Sequence, residues 1–84
     1  MRKLNFTDIY GTVHSITVKY KPVSDVLIPD GFIHYVTMDG PFNVSGQKNI
    51  ANIGDVLLNE DTGELRTILE LGLEKFPVIG KLDS

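Results

Sequence analysis

Residues 54–71 form two apolar runs divided by a polar, glycine-bearing turn, and that pattern commits the middle of the chain to a β-hairpin. Val56, Leu57 and Leu58 lead in, Asn59-Glu60-Asp61-Thr62-Gly63 makes the turn, and a second apolar run leads out. Beyond the turn, Leu65, Thr67, Leu69, Leu71 and Leu73 fall on one side of an extended chain. Glu64, Arg66, Glu70 and Glu74 fall on the other, and only Ile68 breaks the alternation. A C-terminal helix over 64–76 is the alternative. Leu65, Ile68, Leu69, Gly72, Leu73 and Phe76 would then share a helical face, with Asp61 and Glu64 as a capping box and Pro77 as the stop. Gly72 inside such a helix costs about 1 kcal/mol relative to alanine, and Leu71 would face water. The strand is therefore the expected form.

Upstream, residues 4–10 alternate imperfectly and end at Gly11, a residue suited to a bend. Residues 12–20 are rich in β-branched side chains, with His14, Ile16, Val18 and Tyr20 on one face. Pro22 ends that strand and opens a loop running to Gly31, with a short apolar piece at Val26-Leu27-Ile28. Residues 32–38 form the next strand, with Phe32, His34, Val36 and Met38 on one face. Folded back with Tyr20 opposite Phe32, the two strands place His14, Ile16, Val18 and Tyr20 against Met38, Val36, His34 and Phe32 on one apolar side. After the Asp39-Gly40-Pro41 turn, 42–44 is expected as a short strand, and 45–54 as a polar loop pinned by Ile50 and Ile53. Residues 78–82 are expected as a short edge strand after Pro77. About six short strands joined by turns predict an all-β, mainly antiparallel fold: a small barrel or a two-layer sandwich in a single domain, 1–84.

Size limits what such a fold can do. A chain of 84 residues buries only about 60–65% of its unfolded surface, leaving little interior for an enclosed pocket. It has no cysteine, so neither disulfides nor thiolate metal ligands support it. The basic N-terminal residues lead into no apolar segment, and no run has membrane-spanning length, so the expected setting is the cytoplasm or a virion assembled there. Charge is uneven. Residues 1–21 carry Arg2, Lys3, Lys19 and Lys21 against Asp8 alone, whereas residues 51–84 carry three basic side chains against seven acids. Such asymmetry steers one end toward an oppositely charged partner or toward another copy.

The candidate chemistry is thin. Asp61-Thr62-Gly63 matches the tripeptide that carries the catalytic aspartate of aspartic proteases, but Asn59 and Glu60 hold it in a hydrated turn. On the expected pairing, His14 and His34 share a face four residues apart, about 13 Å at ~3.3 Å per residue, too far for one zinc. They read instead as partly buried imidazoles hydrogen-bonded within the sheet. Neither Ser15 nor Ser45 makes a triad with a histidine on sequence alone. Ser45-Gly46-Gln47-Lys48-Asn49 lacks the spacing of a phosphate loop.

These observations lead to the expectation of a non-enzymatic protein–protein interaction or structural module, of the kind found among virion components and phage, viral or mobile-element accessory proteins. It would assemble with itself or dock to a larger protein through a sheet face or edge. No catalytic residue, cofactor or metal site is expected. The candidate interaction surface is Tyr35, which points away from the His34 face, together with the acids Glu60, Asp61, Glu64 and Glu70. One alternative is a small acidic inhibitor of a nucleic-acid-handling enzyme that presents those acids to a basic groove. Another is an oligonucleotide-binding barrel using Lys3, Lys19, Lys21 and Tyr35, although an acidic chain is not the expected companion of nucleic acid.

Overall fold

Alternating and apolar segments become six strands among the described residues: β1 (Arg2–Asp8), β2 (Val13–Tyr20), β3 (Phe32–Thr37), β4 (Asp55–Asn59), β5 (Glu64–Thr67) and β6 (Val78–Leu82). The computed structural model describes residues 1–24, 26–44, 53–68 and 76–83. Each strand pairs antiparallel with the next, and β6 returns to pair with β1, so the sheet closes into a barrel. The all-β expectation holds, and of the two architectures it allowed the barrel is the one formed. The 64–67 part of the expected C-terminal strand is extended, with Leu65 and Thr67 buried as the alternation requires. The rest of that segment, 69–75, lies outside the described residues.

Inward side chains from every strand make one core, led by Leu4, Phe6, Val18, Val56, Leu58, Leu65 and Ile79. Val44 and Ile53 join it from the long β3–β4 connection. There the expected strand at 42–44 reduces to a single bridge between Phe42 and Ile53. Ile53 is the pin foreseen for that loop, while Ile50 lies outside the described residues.

Closure overturns the reading of 78–82 as an edge. Gly80 of β6 is paired on both sides, opposite Asp8 of β1 and Leu65 of β5, and a register shift at Leu65/Arg66 adjusts the wall at the same level. Irregularities of this kind let a short sheet bend tightly enough to close.

The β2–β3 register also differs from expectation. Tyr20 lies opposite Tyr35, not Phe32, and Val18 lies opposite Thr37. A three-residue offset is odd, so it turns β3 over. Tyr35 and Ile33 go to the core, while His34 faces outward beside Leu57 of β4. His14 and His34 therefore lie on opposite sides of the wall. Leu57 and His34 are nonetheless buried, so this part of the barrel has apolar cover on its outer face as well.

Candidate functional site

The acids singled out from sequence belong to the turn and strand that follow β4. Asn59 Oδ1 accepts the N–H groups of Asp61 and Thr62 at 3.0 and 3.3 Å, and Gly63 adopts φ +78°, so Asp61-Thr62-Gly63 is a tight exposed hairpin turn. Glu60, beside it, is held by Arg2. Both guanidinium Nη atoms reach the Glu60 carboxylate, and Nη1 also donates to Tyr35 Oη at 3.2 Å. The hydrogen bond from Arg2 holds the Glu60 carboxyl below its ordinary value against the opposing effect of desolvation. The same bond raises the Arg2 guanidinium. Glu64 receives Arg66 Nε at 3.0 Å, and the Arg66 guanidinium lies 5.2 Å over the Phe32 ring.

Tyr35 is only 8% exposed, in edge-to-face contact with Tyr20, because the β2–β3 register turns it inward. It is not an exposed anchor. Glu70 lies outside the described residues, as do 45–49. The structure thus gathers Tyr35 and Glu60 around Arg2, leaves Asp61 in solvent, and spends Glu64 on Arg66. Among the described candidates, Glu60 and Glu64 are each paired with an arginine.

Both histidines are hydrogen-bonded within the sheet as expected, in two polar clusters whose other members were not foreseen. In the first, Asp8 is buried, with Oδ1 accepting the N–H groups of Tyr10 and Thr12 at 2.8 and 2.9 Å. Its Oδ2 lies 2.7 Å from Nε2 of His14, whose ring stacks on Phe6 at 5.0 Å. Burial works to raise the Asp8 pKa, but the hydrogen bonds from His14, Thr12 and Tyr10 outweigh it, and the carboxyl sits below its ordinary value. The arrangement ties the β1–β2 turn to the barrel wall.

The second cluster is a chain of three side chains on the outer wall. His34 Nε2 lies 2.9 Å from Asp55 Oδ1, and Nδ1 lies 2.9 Å from Ser24 Oγ. A carboxylate only accepts, so in the neutral ring Nε2 carries the proton and the Ser24 hydroxyl donates to Nδ1. Ser24 Oγ also takes the Val26 N–H at 3.4 Å, so the same hydroxyl organises the β2–β3 loop. A cavity of about 110 Å³ adjoins the cluster, lined by Lys21, Ser24, Val26, His34, Asp55 and Ile68. Neither Ser24 nor Asp55 carried a sequence signal as a partner of His34, since nothing in the pattern brings residues 24 and 55 to residue 34.

The surface is more distinctive in its apolar parts. On the loop clamped by Ser24, Val23 is 75% and Leu27 91% exposed, and Tyr20 at the end of β2 is exposed as well. An open cavity of about 400 Å³ lies between β1, β6 and the β4–β5 turn, and its lining includes Asp8, Ile9, Asn59, Glu64, Val78 and Lys81. Among the described residues no three His, Cys, Asp or Glu side chains are placed to hold a metal ion, and no helix is long and apolar enough to cross a membrane.

Comparison with known proteins finds no family model, no curated protein and no solved structure that matches this chain.

Proposed function

We propose that the chain is a protein-interaction module, a barrel that presents the β2–β3 loop to a partner. The observation that carries this reading is the outward display of Val23 and Leu27 on a loop held in place by Ser24 and His34. Apolar side chains held in the open on an anchored loop are what an interface requires. The ion pairs described above serve the barrel itself: Arg2 ties the start of β1 to the hairpin turn, and Arg66 binds Glu64 along β5. That internal use argues against the acidic-inhibitor alternative. A photo-crosslinking residue at position 27 tests the reading in the cells that produce the protein. Covalent adducts to protein, absent when the probe sits at exposed Lys19, support it. Equal yields at both positions would remove it.

One observation favours a second reading, acyl transfer by Ser24 with His34 as base and Asp55 as its orienting carboxylate. The contacts have the connectivity of a catalytic triad with the two imidazole nitrogens exchanged. Against it, Ser24 Oγ is already engaged by the Val26 N–H. Labelling by a fluorophosphonate probe, abolished in Ser24→Ala, would establish the enzyme. An unlabelled protein leaves the trio as a clamp.

A further inference from the structure

Two open clefts adjoin the Ser24–His34–Asp55 chain. The larger, of about 170 Å³, has apolar walls from Ile28, Phe32 and Ile33; the smaller, of about 110 Å³, reaches Asp55 and Ile68. Lys21, Ser24 and His34 line both, so Ser24 stands where the two clefts come together. We propose that this junction is an esterase site for short acyl groups, the acyl chain lying in the larger cleft and the leaving alcohol in the smaller. This rests on the acyl-transfer reading and names its substrate class.

The hydrogen bonds set the order of events. The Ser24 hydroxyl donates to His34 Nδ1 at 2.9 Å, and the Val26 N–H, at 3.4 Å, takes one of the two lone pairs on Oγ. The second lone pair is left to attack. Ser24 Oγ adds to the ester carbonyl carbon as its proton passes to Nδ1. Asp55, 2.9 Å from Nε2, holds the ring in the tautomer that can take that proton and stabilises the imidazolium that results. Lys21 lines both clefts, and a cation there favours the oxyanion that the attack creates. The tetrahedral intermediate collapses by breaking its bond to the leaving oxygen, which takes the proton from Nδ1 and departs as the alcohol. Water then repeats these steps on the acyl-serine, releasing the acid and restoring the hydroxyl. Size sets the acyl group. A void of about 150 Å³ holds a benzene-sized group, so a cleft of about 170 Å³ takes an acyl chain of about four carbons and not one of about eight. Asp55 is about two-fifths exposed, so the smaller cleft is the side from which the alcohol leaves and water enters.

Hydrolysis of p-nitrophenyl acetate, butyrate and octanoate tests the assignment, with circular dichroism to establish that each variant folds. The wild type is expected to cleave the butyrate at least about 10²-fold faster than Ser24→Ala, the lower end of what a positioned base contributes. Asp55→Asn should lower kcat at least about tenfold with KM little changed, a split that a merely structural aspartate would not produce. The kcat/KM for butyrate should exceed that for octanoate at least about tenfold, and Ile28→Ala, which enlarges the acyl cleft, should narrow the ratio. Octanoate cleaved as fast as butyrate, or a ratio unmoved in folded Ile28→Ala, would overturn the short-acyl assignment. A wild type no faster than Ser24→Ala on every ester would also overturn the proposal. If a fluorophosphonate still labels Ser24 in that case, the acyl-transfer reading survives and only the ester substrate is lost. If it does not, both fall together.

Discussion

Gly80 passes so close to β1 that a side chain there would collide with backbone: a Cβ would fall against the Thr7 carbonyl oxygen and 2.9 Å from Cα of Asp8. The seam between β6 and β1 is thus set by the absence of a single methyl group. Gly80→Ala is expected to lower stability by about 3 kcal/mol or more, since two backbone segments cannot yield as side chains do. A urea midpoint near wild type would show that the seam has slack the geometry does not suggest.

Asp8 links stability to acid. Its folded-state pKa lies below the ordinary carboxylate value of 3.8, so the unfolded chain binds the proton more readily. The Asp8 contribution is therefore complete above about pH 4 and drains away as pH falls through the lower folded-state value. Asp8→Ala should cost about 2 kcal/mol near neutrality, because His14 and the Tyr10 and Thr12 N–H groups lose their acceptor. It should also flatten the acid limb of a stability–pH curve. An unchanged acid limb would assign that limb to other carboxyls.

Leu57 faces outward from β4 yet is fully buried, whereas Leu27 stands in solvent. Leu57→Ala is expected to cost about 2–5 kcal/mol and Leu27→Ala less than about 0.5 kcal/mol in the isolated molecule. Thermal unfolding of the pair separates a leucine that maintains the fold from one available for contact. Similar losses in both would contradict that division.

The Arg2–Glu60 pair is about two-fifths exposed on each side, so it is a surface bridge and no more. A double-mutant cycle with Arg2→Ala and Glu60→Ala should return a coupling of at most about 1 kcal/mol, shrinking as salt is raised. A larger, salt-independent coupling would mean that Tyr35 binds all three groups into one cooperative unit.

Sequence pattern made the strands legible because alternation and turn chemistry are local. The hairpin at 54–67 came through with its turn residues intact, since Asn59 and Gly63 specify that turn almost alone. Register across the β2–β3 loop did not. No tight turn fixes it there, and β3 is apolar on both faces, with Ile33 and Tyr35 on one side and Phe32, His34 and Val36 on the other. A strand covered on its inner and outer faces cannot declare from composition which face is which. That ambiguity carried Tyr35 from the expected surface into the core. Closure was equally hidden, because the meeting of Gly80 with Thr7 depends on backbone proximity between residues far apart in the chain. The Ser24–His34–Asp55 chain depends on the same hidden register, which aims His34 outward toward the loop.

That hydroxyl–imidazole–carboxylate clamp has a thermodynamic corollary. Segments left free to wander must surrender their freedom when a partner arrives, and affinity suffers accordingly. With Ser24 fastened to His34, the loop is anchored at that point when the barrel forms. Whatever lodges against Val23 and Leu27 meets a segment that the barrel already holds by one hydroxyl.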